Sequence, residues 1–173
     1  NSVTQANNQA YGGAMVVKSG TWTFENVAFN NNVAKATGNN GYATGGAILV
    51  DITTGIQEKG SNSVGKVIFD ISKDMTYSGN KVESESSDSG NTYGWYAYTS
   101  GGFLFLDRAS EGTFKIADGS TLTLGLADCT GEDDSIASAL PYSNKQDPAY
   151  STLTKTGAGT CLLYTSDAAD DRI

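Results

Sequence analysis

Hydrophobic residues along the chain follow a two-residue period, in which large apolar side chains alternate with threonine, serine or lysine. The alternation is clearest at residues 21–24, 67–71 and 114–116. A two-residue period predicts β-strands that bury one face and expose the other. No window of comparable length shows a helical period. The pattern therefore predicts an all-β fold.

A glycine-led segment recurs along the chain. Gly12–Val17 is repeated as Gly45–Val50 and again as Gly101–Leu106, and each copy precedes one of the alternating stretches. A single unit of about three short strands cannot bury its apolar face, so the units must stack on one another. We predict a parallel β-helix, a solenoid that is open at both ends. An antiparallel sandwich would share the alternation but would not explain the recurring glycine pair.

A short closing strand is predicted at the end of each unit, at residues 27–29, 75–77 and 122–126. The second and third units share their internal spacing, because Phe69 precedes Tyr77 by the same interval as Phe114 precedes Leu122.

Three polar stretches separate the predicted strands and carry the turn-forming residues Gly, Ser, Asn, Asp and Pro. They are residues 53–65, 83–100 and 130–148. Because a solenoid absorbs extra length as loops on its flanks, we expect all three to be insertions.

Composition narrows the classes of function. The net charge is −8 and charged residues make up 17% of the chain. This is unlike a nucleic-acid surface, which needs clustered Lys and Arg, so no nucleic-acid partner is expected. With His 0 in the sequence, a catalytic triad based on histidine cannot be formed by these residues. We expect no enzyme activity and no cofactor.

One aromatic cluster stands in a polar insertion and is the candidate binding site. Several aromatics in a loop can form a stacking platform for a sugar or a protein. The alternative is that they cover an end of the solenoid or enter the next strand. The residues are Tyr93, Trp95, Tyr96 and Tyr98.

Two sets of carboxylates are candidates, one for acid–base chemistry and one for calcium binding. Asp51 and Asp107 follow their glycine pairs at the same interval, where Lys18 follows the first, so they could stack as paired carboxylates. A solvated strand end is the interpretation we favour. Residues 131–134 are acidic and could supply oxygen ligands to calcium, but they lack a known calcium-loop spacing, and a solvated loop is favoured. No metal site is expected.

The last residues, 161–173, resemble the translation of a transposase adapter used to prepare sequencing libraries. We therefore expect one native domain over 1–160, followed by a non-native tail. The chain also begins at Asn1 without an initiator methionine, so it is expected to be internal to a longer product.

With these motifs in hand, the chain resembles polymorphic outer-membrane proteins and related autotransporter passengers. Their Gly-Gly-Ala-Ile motif matches residues 12–15 and 45–48, and their Phe-x-x-Asn motif matches Phe29–Asn32. Residues 77–80 carry Tyr in place of Phe, and the third unit has no matching Asn. Residues 153–160 resemble the Leu-x-Lys-x-Gly-x-Gly-Thr repeat of autotransporter β-strands.

The resemblance implies a right-handed parallel β-helix like that of the pectin lyases. It also implies that this β-helix is secreted, displayed on the bacterial cell surface and held at the outer membrane by a translocator that these residues do not include. It further implies an adhesin-like or structural stalk whose loops contact host or surface glycans or proteins. The alternative function is a carbohydrate-active β-helix enzyme of the polysaccharide lyase or glycosidase type.

Overall fold

The computed structural model describes residues 1–6, 10–37, 41–51, 64–85, 100–107, 109–129, 133–138 and 150–164. All regular structure in these ranges is β-strand. The strands are β1 Ser2–Ala6, β2 Ala10–Tyr11, β3 Met15–Val17, β4 Gly20–Glu25, β5 Val33–Thr37, β6 Ala43–Thr44, β7 Ile48–Val50, β8 Gly65–Ile71, β9 Met75–Tyr77, β10 Lys81–Ser84, β11 Leu104–Leu106, β12 Glu111–Ile116, β13 Thr121–Leu124, β14 Ile136–Ser138, β15 Thr152–Thr156 and β16 Thr160–Leu163.

The strands form five sheets, which we number in the order the chain enters them. Sheet I is β1-β5-β10, sheet II is β2-β6, sheet III is β3-β7-β11-β14, sheet IV is β4-β8-β12-β15 and sheet V is β9-β13-β16. Every strand pair in the described ranges is parallel, which excludes the antiparallel sandwich for this part of the chain. The predicted all-β class is confirmed.

The chain runs through the sheets in a recurring order, and each round is called a pass. The first pass is β1 to β4 with residues 27–29, the second is β5 to β9, the third is β10 to β13 and the fourth is β14 to β16. Between β13 and β14 none of the described residues forms a strand of sheet I, so sheet I has three described strands where sheets III and IV have four.

The glycine-led repeats align in register, as the sequence suggested. Met15 pairs with Ile48, and Ile48 with Leu104, in sheet III. The first glycine of each pair has a positive φ, 53° at Gly12 and 65° at Gly45. The second glycine lies against the backbone of the next pass, where a Cβ at Gly46 would collide with the carbonyl oxygen of Gly102. The glycine pair therefore recurs because stacked passes bring their backbones too close together at this position for a side chain.

One hydrophobic core runs through the passes. Phe24, Phe69 and Phe114 occupy one register position of sheet IV, with ring centroids 5.7 Å and 5.1 Å apart. Their rings are nearly parallel, at 28° and 29°. Successive strands of a sheet lie about 4.8 Å apart, so identical inward side chains meet face to face. Around Phe69 of this column, Phe29 packs edge-on and Tyr77 and Phe103 pack tilted.

Several strand predictions need correction. Residues 27–29 form no strand, although Phe29 is buried. The residue paired with Tyr77 is Leu124 and not Leu122, because the turn before β13 is longer than the turn before β9. The predicted insertions contain strand residues: β10 includes Glu83, and β14 lies within 130–148.

Candidate binding surface

The aromatic residues predicted as a binding site, Tyr93, Trp95, Tyr96 and Tyr98, lie outside the described residues. The described residues on either side place the ends of this stretch. Glu85 follows β10 in sheet I, and Ser100 bridges to Thr44 of sheet II. The described chain therefore leaves sheet I at Glu85 and is next described at Ser100, beside sheet II.

A pair of tyrosines lies on this side of the molecule. The Tyr11 and Tyr42 hydroxyl oxygens are 2.8 Å apart, and their rings meet edge to face with centroids 6.0 Å apart. Tyr42 is buried and Tyr11 is half-buried. The two tyrosines are not equivalent in the repeat, because Tyr11 pairs in register with Thr44, two residues after Tyr42.

The outward side of sheet III differs from the outward sides of the other sheets because it is apolar. Val16, Leu49 and Phe105 share one register position, between positions that point into the core. Leu49 and Phe105 are only 4% and 9% exposed, although alternation directs them away from the core. The corresponding positions of sheet IV carry Thr23, Ile68 and Thr113. We call the column Val16, Leu49 and Phe105 with Tyr11 and Tyr42 the sheet III face.

Asp51 and Asp107, the candidate pair of carboxylates, occupy equivalent positions on successive passes. The Asp51 amide donates to the carbonyl oxygen of Val17, and the Asp107 amide donates to that of Val50, each at 2.8 Å. Asp51 and Asp107 therefore follow the sheet III strands one pass apart, in line with Lys18. The favoured interpretation of a solvated strand end is wrong for Asp107, which is 7% exposed.

The charges of Asp51 and Asp107 act on the Tyr11 hydroxyl. Burial raises the pKa of the Tyr11 hydroxyl, and the negative charges of Asp51 and Asp107 raise it further, while the hydrogen bond with Tyr42 opposes them. Most of the sheet III face is nevertheless buried, because Tyr42, Leu49 and Phe105 are 8%, 4% and 9% exposed. Its accessible residues are Val16, which is exposed, and Tyr11, which is half-buried.

The acidic residues weighed as calcium ligands have structural roles where they are described. Asp133 pairs with Lys81 at 3.0 Å. Asp134 is 5% exposed, and its carboxylate accepts hydrogen bonds from the Gly79 amide at 2.8 Å and from the Asn80 amide at 2.9 Å. Neither residue lies in a solvated loop of the predicted kind. Within the described ranges, no group of three or more Cys, Asp or Glu residues is arranged to hold a metal ion.

A buried ladder of polar side chains joins three passes at the turn out of sheet V. The Asn32 side-chain amide donates to the Asn80 side-chain oxygen at 2.8 Å. The Asn80 amide nitrogen in turn donates to the Phe29 carbonyl and to the Asp134 carboxylate, both at 2.8 Å. The Phe-x-x-Asn motif signalled Asn32 and Asn80. The sequence analysis did not identify Asp134 as part of this ladder. Asp134 occupies its next position, in the turn before β14.

The two cysteines are not part of the sheet III face. Cys129 and Cys161 are both free thiols. The Cys129 thiol donates to the Tyr164 carbonyl oxygen at 3.1 Å, and burial raises the pKa of the Cys161 thiol. Among the described residues there is no helix with the length and apolar character needed to cross a membrane.

Comparison with known sequences finds a similarity to a probable autotransporter. The chain is 35% identical over 147 residues to the "Probable autotransporter YfaL" of Escherichia coli (strain K12). The match covers 84% of this chain and 9% of that protein. No family model matches the chain. No solved structure matches it significantly.

Proposed function

We propose that the chain is a surface-displayed segment of an autotransporter passenger, in which a parallel β-helix serves as a stalk and carries contact surfaces. The observation that carries this proposal is the similarity to YfaL over most of the chain. The chain spans only 9% of that relative, so activity, partners and the secretion route of the whole protein belong to the proposal.

The solenoid is part of the proposal. Its support is the recurring order in which the chain enters the sheets, together with in-register pairing through three and four strands. Core residues of sheets III, IV and V belong to one cluster, as winding around a common interior requires. A right-handed winding is expected on general grounds, because parallel crossover connections are right-handed in nearly all proteins.

The contact surface we propose is formed by the aromatic residues Tyr93, Trp95, Tyr96 and Tyr98. Tyrosine and tryptophan supply large contact area together with a polar atom, which suits recognition of host or surface glycans and proteins. An adhesin-like role is therefore proposed over a catalytic one. The burial of Asp107 supports this choice, because a buried carboxylate is poorly placed to reach a glycosidic bond.

Residues 161–173 are proposed to be non-native, so that Thr160 is the last native residue of this sequence and the natural protein continues beyond it. The structure pairs β16 with β13, so strand pairing alone does not distinguish native from adapter-encoded residues. Reading the gene from a library made without that transposase tests the boundary. We expect codons after Thr160 that differ from those translated here, and an unchanged reading would overturn the proposal.

Display can be tested by joining the chain to an exported signal peptide and to the outer-membrane translocator of an autotransporter in E. coli. We expect antibody labelling on intact cells and a protease-resistant band of the chain's size. The control is Phe69→Asp, which places a charge in the middle of the phenylalanine column and should abolish the resistant band. Retention in the periplasm, or a wild-type chain without resistance, would count against the proposal.

Contact through the aromatic stretch is tested on the displayed protein. Alanine at all four of Tyr93, Trp95, Tyr96 and Tyr98 should reduce binding to glycan arrays or host cells by about tenfold or more. Thr113→Ala, on the outward side of sheet IV, is the matched control and should leave binding unchanged. Equal binding by both variants would place the contact elsewhere.

A further inference from the structure

The strands of sheets I and II, which we call the limb, enclose a hydrophobic cluster of their own. Its buried members are Ala10, Ala34, Ala36 and Ala43, against which Val3 and Val82 pack. Within the described ranges, this cluster shares no member with the cluster of sheets III, IV and V, whose buried residues include phenylalanine, leucine and isoleucine. Each alanine adds one methyl group to a core, so the limb buries much less apolar surface than the rest of the fold.

The limb joins the rest of the fold through a narrow base. In the second pass the chain enters the limb at Val33 and leaves it at Gly46. A Cβ at Gly13 would collide with the Val33 carbonyl oxygen, and a Cβ at Gly46 would collide with the Lys81 carbonyl oxygen. The end of the limb in one pass therefore touches the start of the limb in the next pass, backbone against backbone.

The described residues of the fourth pass contain no limb strand, and their hydrogen bonds show where the limb is bypassed. The Lys81 amide, where the third pass enters the limb, donates to the carbonyl oxygen of Asn32 at 2.8 Å. One pass further on, the Asp134 amide donates to the carbonyl oxygen of Asn80 at 2.9 Å. Asp134 is therefore the fourth-pass counterpart of Lys81.

The residue after Asp134 has already reached sheet III. The register of sheet III places Ser135 opposite Phe103, and the Phe103 amide donates to the Ser135 carbonyl oxygen at 2.9 Å. The third pass uses residues 82–102 to go from Lys81 to Phe103. In the fourth pass a single peptide bond joins the equivalent positions. The core of a pass can therefore close without the limb.

We propose that the limb is a module inserted into each pass, which carries the aromatic stretch and is not needed for the fold of the core. The described residues on either side of that stretch, Glu85 and Ser100, both bond to limb residues of the second pass. That the limb presents a contact surface rests on the proposed function, whereas its independence from the core does not. Removing residues 82–102 removes the aromatic stretch and makes the third pass resemble the fourth.

The core contacts of the third pass lie outside the segment to be removed. Phe103 and Leu104 remain, and β12 and β13 keep their pairing with β8 and β9. Lys81 keeps its ion pair with Asp133. The deletion uncovers one side of β5, which pairs with β10. Because tolerance of a deletion depends on the backbone bonds and burial that it removes, we expect the loss to be confined to the limb.

The test compares two deletions in the 173-residue chain. The first removes residues 82–102 and joins Lys81 to Phe103, as Asp134 joins Ser135. The second removes residues 81–102 and is the matched control, because its link is one residue too short. One residue spans at most about 3.6 Å of extended chain, so the shorter link must break either the Asn80 ladder or the register of sheet III.

Urea unfolding followed by circular dichroism should give the 82–102 deletion a midpoint within about 1 M of the wild type. The 81–102 deletion should unfold at a midpoint lower by about a further 1 M or more. Amides of β8 and β12 should stay protected from hydrogen exchange in the 82–102 deletion. Loss of that protection, or equal midpoints for the two deletions, would overturn the proposal.

Hydrogen exchange of the undeleted chain supplies a second readout. Ile116→Val weakens the core, so amides of β8 and β12 should exchange about fivefold faster. Amides of β5 and β10 should keep their wild-type rates, because they exchange through local opening of the limb. If all four strands exchanged faster by the same factor, the limb would open only together with the core, and it would not be a module.

Surface display of the 82–102 deletion separates the module from the proposed contact function. A folded deletion that no longer binds glycan arrays or host cells supports both. A folded deletion that binds as the wild type does supports the module and contradicts contact through the aromatic stretch. A deletion that leaves β8 and β12 unprotected contradicts the module, whatever its binding.

Discussion

Replacing Asn80 by alanine should remove the centre of the buried ladder that joins three passes. The Asn80 side chain is fully buried and makes three short hydrogen bonds, each of 2.8 Å, to Asn32, to the Phe29 carbonyl and to Asp134. Alanine leaves all three partners without that bond. Water cannot easily replace it, because Asn32 and Asp134 are themselves buried.

The size of the expected loss of stability follows from the hydrogen-bond partners that Asn80→Ala leaves unpaired. A neutral hydrogen bond contributes about 0.5–1.5 kcal/mol and a bond to a charged group about 1.5–3 kcal/mol. Buried groups left without partners add a penalty of similar size. We expect Asn80→Ala to lower the free energy of unfolding by about 3–5 kcal/mol, which is exceptional for a single substitution.

Urea unfolding followed by far-ultraviolet circular dichroism measures this loss. With a slope of about 2 kcal/mol per molar urea, the midpoint should fall by about 2 M. The matched control is Asn30→Ala on the same turn, where an exposed side chain accepts one bond from the Ser78 amide at 2.9 Å. Asn30→Ala should cost about 1 kcal/mol or less. If the two variants lost the same free energy of unfolding, the buried ladder would stabilise the fold no more than one exposed hydrogen bond does.

Three further predictions concern the core and the stacking glycines. Tyr77→Phe should raise the free energy of unfolding by about 1 kcal/mol, because the buried Tyr77 hydroxyl has no hydrogen-bond partner in the described part of the molecule; a lower urea midpoint would contradict this. Burial raises the pKa of Tyr77 above 10.0, so the folded state holds a proton that the unfolded state releases. Stability due to this group is full below pH 10 and should fall above it by up to about 1.4 kcal/mol per pH unit, with a shallower decline in Tyr77→Phe. Gly46→Ala should cost about 3 kcal/mol by thermal unfolding, because its Cβ would meet the backbone of Gly102 and Lys81; a wild-type melting temperature would refute the close approach of the passes.

The sequence predicted the parts of the fold in which large inward side chains repeat. Sheets III and IV were found from the glycine-led segments and from the Phe24, Phe69 and Phe114 series. Sheet I was missed because its inward positions carry Ala34 and Ala36, which give no contrast between apolar and polar positions. These small residues form a separate alanine-lined cluster with the start of sheet II.

The binding surface was harder to predict for a related reason. Trp22 occupies an inward position of sheet IV and is half-exposed, because no described strand covers β4 on that side. The outward burial of Leu49 and Phe105 depends on what the chain places over sheet III, which the two-residue period does not encode. Asp134 joins the asparagine ladder through a turn in which it adopts a positive φ of 53°, a conformation that no motif signalled.

The central claim is that successive passes stack in register as parallel strands, and interstrand nuclear Overhauser effects measure it directly. On isotope-labelled protein, the amide and α protons of Ile68 should show parallel-strand contacts to both Thr23 and Thr113. The ring of Phe69 should contact those of Phe24 and Phe114. Contacts of Ile68 to β9 in the pattern of an antiparallel hairpin would contradict the stacking and the function proposed from it.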